Sequence, residues 1–371
     1  VQISTTITEV IQHFNCAADP SSYRPYGSGH INDTFLLENV DKDGPDYLLQ
    51  RINHGIFTNV EKLMENMQRV TMHLRDKLVV QGGDPTKEVM TLIPTLDDQY
   101  YYQDSNGDYW RMMYFMKDTR SYDLVTTEKQ AYEGGKAFGK FQAMLSDLPS
   151  DQMYEVIPNF HNIQVRLGHL EAAVADDPLG RSKEVAAELE LVRAHADAML
   201  YFQQAALVAV LPKRVIHNDT KFNNVLLNEN DEAQCVIDLE TVMEGYVAYD
   251  FGDAIRSIIN TSTEDEPDLN KIQLNMPLFN AYTRGYLEYA GQFITVDEVQ
   301  SLVKGVLLLP FMQAVRFLTD HINGDTYFKI KFPGHNLQRA RAQFQLFLKL
   351  NAQAETMNTT IMEEISKSYL S

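Results

Sequence analysis

The run Val215-Ile216-His217-Asn218-Asp219-Thr220-Lys221-Phe222-Asn223-Asn224-Val225-Leu226-Leu227, with Cys235-Val236-Ile237-Asp238-Leu239-Glu240 shortly after it, constrains this chain more than any other stretch. Its three apolar runs are of strand length, and the turn formers at 228–231 reverse the chain between the second and third. The polar residues gather where the first strand gives way to a loop. Apolar strands hold such a loop rigidly while its side chains stay free to meet a ligand.

Residue types and spacing suit phosphoryl transfer. Asp219 is placed to accept a proton from a substrate hydroxyl or to orient it for in-line attack. Asn224 and Asp238 offer the oxygen ligands that Mg2+ prefers, and the metal neutralises nucleotide phosphates. Lys221, two residues past Asp219, is expected to reach the transferred phosphoryl group, and His217 to brace the loop. This is the pattern His-x-Asp-x-x-x-x-Asn followed by an Asp on the next hairpin, as in the catalytic loop and metal-binding strand of protein-kinase-like enzymes. A lone His-x-Asp is common on polar surface loops. Four matched positions between apolar strands favour the chemical reading. Asp250-Phe251-Gly252 also spells a kinase tripeptide, but it lies 31 positions beyond Asp219, whereas Asp238 lies 19 beyond. Asp250 is therefore expected to hydrogen-bond backbone amides and hold the loop in shape.

The flanking chain divides in character. Before the loop, β-prone runs at 34–40 and 47–52 are separated by turn formers at 41–45. Val60, Leu63, Met64, Met67, Val70 and Leu74 then recur at helical spacing behind a capping box from Thr58 to Glu61. Asn106-Gly107 between two aromatic runs signals a hairpin leading into 109–116. From about Thr126 helical periodicity takes over: Ala131, Gly135, Phe138, Phe141 and Leu145 share one face, and further helices fall near 272–290, 297–322 and 337–365. The expected fold class is α+β, a protein-kinase-like two-lobed fold with a β-rich N-terminal lobe (1–120) for the nucleotide and a mainly helical C-terminal lobe (121–371) for catalysis and the acceptor.

In such a lobe a glycine-containing turn covers the phosphates. Tyr26-Gly27-Ser28-Gly29-His30-Ile31-Asn32 is in the right place, so Gly27, Ser28 and Gly29 are nucleotide-site candidates. On the next strand, where protein kinases carry a lysine, Gln50 and Arg51 stand instead. Alternation points them to opposite faces, so one of the two faces the phosphates. Tyr114, Phe115 and Met116 are expected to pass the adenine, with main-chain groups for hydrogen bonds and apolar side chains for packing.

Composition agrees. The chain has 371 residues, 44% hydrophobic and 22% charged, which excludes a disordered or disulfide-stapled class. With 32 basic against 51 acidic residues its net charge is -19, so no nucleic-acid partner is expected. Cys16 and Cys235 form no zinc or disulfide framework. No signal-peptide pattern opens the sequence, and no window is expected to reach the ~20 apolar residues of a membrane span. The expected setting is cytoplasmic, with no membrane and no obligatory protein partner.

The loop His217 to Asn224 with Asp238 resembles the aminoglycoside phosphotransferase and choline kinase superfamily, similar in fold to protein kinases. Tyr26 to Asn32, His217 to Lys221, Tyr249-Asp250-Phe251-Gly252-Asp253-Ala254-Ile255-Arg256, Arg316-Phe317-Leu318-Thr319-Asp320 and Gly324-Asp325-Thr326-Tyr327-Phe328 further resemble, in content and order, its bacterial N-acetylhexosamine 1-kinase branch. This resemblance spans about residues 23 to 345. It implies ATP- and Mg2+-dependent phosphorylation of the anomeric hydroxyl of GlcNAc or GalNAc. It also implies that Asp219 meets that hydroxyl and that His30, Arg316 and Tyr327 line the sugar pocket. Arg316 lies in an apolar run where an unpaired guanidinium is costly, so it needs either a ligand or Asp320 at i+4; Tyr327 has core packing as its competing role.

Two alternatives accompany this reading. The acceptor is an aminoglycoside, choline or ethanolamine, or methylthioribose, in which case the acidic stretch 264–268 would serve a cationic substrate. Otherwise the chain is a non-catalytic nucleotide-binding protein, favoured by the missing strand lysine and opposed by the intact Asp219, Asn224 and Asp238.

Overall fold

A computed structural model describes residues 2–27 and 31–368 of the chain. The fold is α+β, with a sheet-rich N-terminal region and a helical C-terminal part. Two compact units form, each built from several chain segments. One comprises Val1–Ser121, Asp147–Pro158 and Val225–Glu244; the other comprises Tyr122–Ser146, Asn159–Asn224 and Gly245–Ser371. The chain passes between the units more than once, and residues 225–244, which include Asp238, belong to the first.

In the first unit, six strands form an antiparallel sheet. Its path runs Arg24–Pro25, Asp33–Leu37, Tyr47–Ile52, Tyr109–Tyr114, Leu92–Ile93, and Tyr102–Gln103 pairs with Tyr109–Tyr114 as well. Side chains of one face pack on Gln2–Ile11, a helix that the sequence pattern did not predict. Ile7, Val10, Ile11 and Phe14 enclose a core with Leu37, Leu49, Trp110 and Met112. The Asn106-Gly107 hairpin forms, with Tyr102 opposite Trp110 and Gly107 at φ +86°. Asp104 stabilises it by accepting from the amides of Asn106 and Asp108 and from the Trp110 indole.

The periodic helix runs Val60–Gln81. Its cap is Asn59, which accepts from the Lys62 amide, rather than the expected Thr58–Glu61 box; Gly82, at φ +75°, closes it. The N-cap preference for a short side-chain acceptor is met one residue later than the spacing suggested. Val225–Leu227 and Ala233–Val236 form the expected hairpin, in register Val225 to Val236 and Leu226 to Cys235.

The second unit is helical. Glu128–Leu145 crosses Met276–Ala290 so closely that a Cβ on Gly135 would lie 2.1 Å from the Tyr282 carbonyl, and one on Gly285 2.0 Å from that of Tyr132. Val247–Ile258 crosses Val296–Ile322 likewise at Gly252 and Gly305. Helix Val296–Ile322 corrects one expectation: at 27 residues, with a window of mean hydropathy 1.5, it is long and apolar enough to span a bilayer. Of that window, 78% is buried inside the protein, so packing against other helices accounts for its apolar surface.

Candidate active site

Strand Arg214–Ile216 carries the chain into the loop of the second unit. His217 is fully buried, its ring edge-on to Phe138 and Phe141 at 5.6 and 5.7 Å. Its Nδ1 faces the Asp219 amide at 3.3 Å, the bracing role expected of it. Asp250 fixes the backbone: its carboxylate accepts from the amides of His217 (2.8 Å) and Asn218 (2.7 Å) and from Gln142 (2.8 Å). Its carbonyl accepts from the Thr220 hydroxyl. Burial pushes the Asp250 carboxyl up, against the pull of His217 and these donors. Thus Asp250 meets backbone, as its distance along the chain suggested. Asn218 turns through φ +67°, a left-handed conformation that asparagine tolerates better than most residues.

Asp219 emerges from this frame partly exposed. Lys221 Nζ lies 2.8 Å from its Oδ1, and Asn224 Nδ2 donates to its carbonyl at 2.8 Å. Burial lowers the Lys221 pKa, but Asp219 and Asp253 outweigh it and hold the ammonium above its ordinary value. Phe222 is buried; a Cβ on Gly134 would meet its ring at 2.8 Å, so glycine there admits the loop's anchor. The arrangement brings together the Asp219 carboxylate, the Lys221 ammonium and the Asn224 amide.

In the first unit, Thr34, Gln50 and Arg111 stand opposite one another on adjacent strands and therefore share a face of the sheet. Gln50 Nε2 donates to the Thr34 hydroxyl at 3.0 Å, and its Oε1 accepts from Arg111 Nε and Nη2 at 2.9 and 2.7 Å. Arg111, 1% exposed, also pairs with the buried Glu240. Arg51 lies on the opposite face, bound to Asp33 and Asp108. The alternation expected from the strand therefore puts Gln50 on the buried charged row and Arg51 on a surface one.

Asp238 sits at φ 62°, ψ 53°, with its side chain within hydrogen-bonding distance of Glu240. Burial raises the Glu240 pKa, yet Arg111, Asp238 and Asn32 together hold it below the ordinary carboxylate range. Among the described residues no group of three or more His, Cys, Asp or Glu forms a metal cluster. A magnesium ion does not require one: it takes one or two carboxylates and fills the rest with water and phosphate oxygens. Asp238 and Glu240 carry two carboxylates against the one guanidinium of Arg111, which pairs with Glu240, and that excess of negative charge suits a hard cation.

Of the glycine turn, Gly27 adopts φ +79°; Ser28, Gly29 and His30, expected at the phosphates and the acceptor, lie outside the described residues. Tyr26 packs edge-on against Phe115 at 5.3 Å, which joins this turn to the segment after Tyr109–Tyr114. In that segment the Tyr114 and Phe115 amides bond to the carbonyls of Thr91 and Asp46, and the Met116 carbonyl accepts from Thr119.

Arg316 does not pair with Asp320. It donates to Gln313 at 3.0 Å and lies 6.0 Å from the Tyr327 ring centre, while Tyr327 is 70% exposed and not a core residue. Asp320 instead accepts from the Thr326, Tyr327 and Phe328 amides at 2.8–2.9 Å and from Asn336, which clamps the loop that carries Tyr327. The helix places the i+4 carboxylate closer to that loop's amides than to the guanidinium. Burial lowers the Arg316 pKa, with Tyr327 the first opposing influence. The acidic stretch is engaged elsewhere: Asp265 with His335 and Lys331, Glu264 with Arg256, Glu266 with Lys271.

Sequence reasoning missed Arg111 and Glu240. Arg111 was legible as a charge in the apolar run Trp110-Arg111-Met112-Met113, but only the strand register joins it to Gln50. His161 and Asp253 were also missed; they lie in the second unit near Asn218 and Arg256.

The model of the phosphotransferase enzyme family matches residues 22–290. Solved structures share the fold at low identity. An aminoglycoside phosphotransferase from Alicyclobacillus acidocaldarius has 14% identity and a TM-score of 0.60, covering 94% of this chain and 96% of that one. A choline kinase from Cryptosporidium parvum has 12% identity and a TM-score of 0.57, with 95% of each chain covered. Amicoumacin kinase hAmiN, solved in complex with AMP-PNP, Ca2+ and Ami, has 10% identity and a TM-score of 0.56, with 93% of each covered.

Proposed function

This chain belongs to the phosphotransferase enzyme family, and on that footing we propose that it phosphorylates the anomeric hydroxyl of N-acetylhexosamines, GlcNAc or GalNAc, from ATP. It is a small-molecule phosphotransferase of the aminoglycoside phosphotransferase and choline kinase superfamily; the sugar is the finer reading. The observation that carries it is the Asp219–Lys221 pair on a loop whose backbone Asp250 holds rigid.

Asp219 orients the acceptor hydroxyl and takes its proton as the oxygen attacks. Lys221 keeps Asp219 in place and meets the transferred phosphoryl group. On the sequence pattern, Asn224 and Asp238 are the residues we propose for Mg2+, which neutralises phosphate charge when bound. Gly27, Ser28, Gly29 and Gln50 would serve the triphosphate, and the Tyr114 to Met116 segment the adenine. His30, Arg316 and Tyr327 would contact the sugar. We place the protein in the cytoplasm, acting without an obligatory partner.

The test is magnesium-dependent ADP release across a panel of sugars, amino alcohols and aminoglycosides. GlcNAc or GalNAc is expected to give the highest kcat/KM, with the sugar 1-phosphate as product. Turnover restricted to amine-bearing acceptors, or phosphate placed on another hydroxyl, refutes the sugar reading.

A further inference from the structure

Nine buried side-chain polar atoms of the described residues in the second unit have no hydrogen-bond partner, and Asp253 Oδ2 and His161 Nδ1 are two acceptors among them. Asp253, 5% exposed, gives only its Oδ1 to Arg256, which donates from Nε at 3.0 Å and Nη2 at 2.8 Å. Its Oδ2 is buried and unpartnered. His161 Nε2 lies 3.1 Å from the Asn218 carbonyl, and a carbonyl only accepts, so Nε2 carries the hydrogen. Burial lowers the His161 pKa to about 4, so the ring is neutral and its Nδ1 is a bare lone pair. That Nδ1 is also buried without a partner.

Leaving a buried ionised carboxylate oxygen without a donor is costly, and Asp253 Oδ2 is one such oxygen, with His161 Nδ1 a second bare acceptor. Both belong to the surroundings of Asp219. His161 bonds the residue before it, and Asp253 feels the charge of both Lys221 and His161. A ligand that satisfies them must bring donors, either hydroxyl or ammonium groups.

The neighbouring charges choose between these. Lys221 and Arg256 are balanced by Asp219 and Asp253. Arg316 and Arg166 have no carboxylate ion-pair partner among the described residues: Arg316 donates to Gln313, and Arg166 to the carbonyls of Asn159 and Phe160. Burial lowers the Arg166 pKa, and Arg316 lowers it further, so the two guanidiniums already repel each other. An acceptor bearing ammonium groups would add to that repulsion, and an anionic one would face two bare acceptor atoms.

We infer that Asp253 Oδ2 and His161 Nδ1 form an acceptor-recognition pair that selects a neutral, polyhydroxylated substrate over amine-bearing ones. This rests on the kinase reading above and deepens it by naming the chemical class the site admits and two residues that read it. A sugar hydroxyl donates to Asp253, a second hydroxyl or an amide N–H donates to His161, and the uncompensated arginines face the ligand's oxygens.

The test uses the full chain, ADP release as readout, and three arms. Among GlcNAc, GalNAc and their monodeoxy analogues, removal of one particular hydroxyl should lower kcat/KM of the unaltered protein about tenfold to a hundredfold, the range for a hydrogen bond to a charged group. Asp253→Asn should raise the acceptor KM by at least about tenfold while leaving that of ATP within about twofold, and should erase the penalty of that deoxy analogue. Choline and 1-amino-2-propanol should be poor acceptors. The inference is overturned if no single hydroxyl matters, if Asp253→Asn and His161→Ala leave the acceptor KM unchanged and only lower Tm, or if an amine-bearing acceptor outperforms every neutral sugar. Amine turnover leaves the kinase reading standing, whereas absence of ADP release with every acceptor removes both. The analogue series needs no variant, so even if Asp253→Asn fails to fold, the unaltered protein can still overturn the inference.

Discussion

Arg111 shows how a single charge is kept inside a sheet. Its guanidinium is satisfied by Gln50 and Glu240 and touches the Met67 sulfur at 3.0 Å. Removing one partner of such a pair strands the other charge. Arg111→Met should therefore cost about 3–5 kcal/mol in urea unfolding, and Arg111→Met with Glu240→Leu should recover most of it. A single variant within about 1 kcal/mol of the parent would mean Glu240 is compensated elsewhere. At Asp219 the expectation concerns rate: Asp219→Asn should lower kcat by about 10²–10⁴ with ATP affinity retained, checked by single-turnover kinetics and nucleotide titration. Undiminished turnover would remove Asp219 from the proton transfer. Asp219 is proposed from type and spacing, because chemistry restricts both. Arg111 and Asp253 were not legible, because nothing in their neighbours along the chain says which group they meet.

Elements were legible wherever a local rule governs them. The Asn106-Gly107 hairpin and the apolar face from Val60 to Leu74 follow from turn chemistry and period. Helix contacts were not, although the glycines that allow them stand in plain view. A Cβ on Gly305 would fall 1.8 Å from the Ala248 carbonyl, so Gly305→Ala must push two helices apart. Overpacking of this kind costs about 1–3 kcal/mol, and a lowered Tm in a thermal melt would show it. An unchanged Tm would mean that the crossing is looser than described. The Asp320 clamp likewise acts on the loop that carries Tyr327. Asp320→Ala should raise the acceptor KM several-fold and spare that of ATP; equal changes in both would place the loop's role elsewhere.

For the molecule as a whole, acid should act early through His161. Unfolded, its imidazole takes a proton near its ordinary value of 6.5; folded, burial delays this to about 4. Between these values the unfolded chain binds more protons, so stability falls as pH drops from 6.5 to 4 and this contribution changes no further below that. Tm measured across this window should decline more steeply for the parent than for His161→Gln. Parallel curves would show that His161 is not the group responsible.

The order of strand, loop and hairpin and the α+β class were written into the chain itself, because each depends on residues within a few positions of one another. Tertiary structure decided which side of its strand Gln50 would share with Arg111, which carboxylate would meet the Tyr327 loop, and which acceptor atoms would be left buried without a donor. Those outcomes arise from strand register and tertiary packing, which make neighbours of residues such as Gln50 and Arg111, 61 positions apart, while burial multiplies the cost of every unmatched charge.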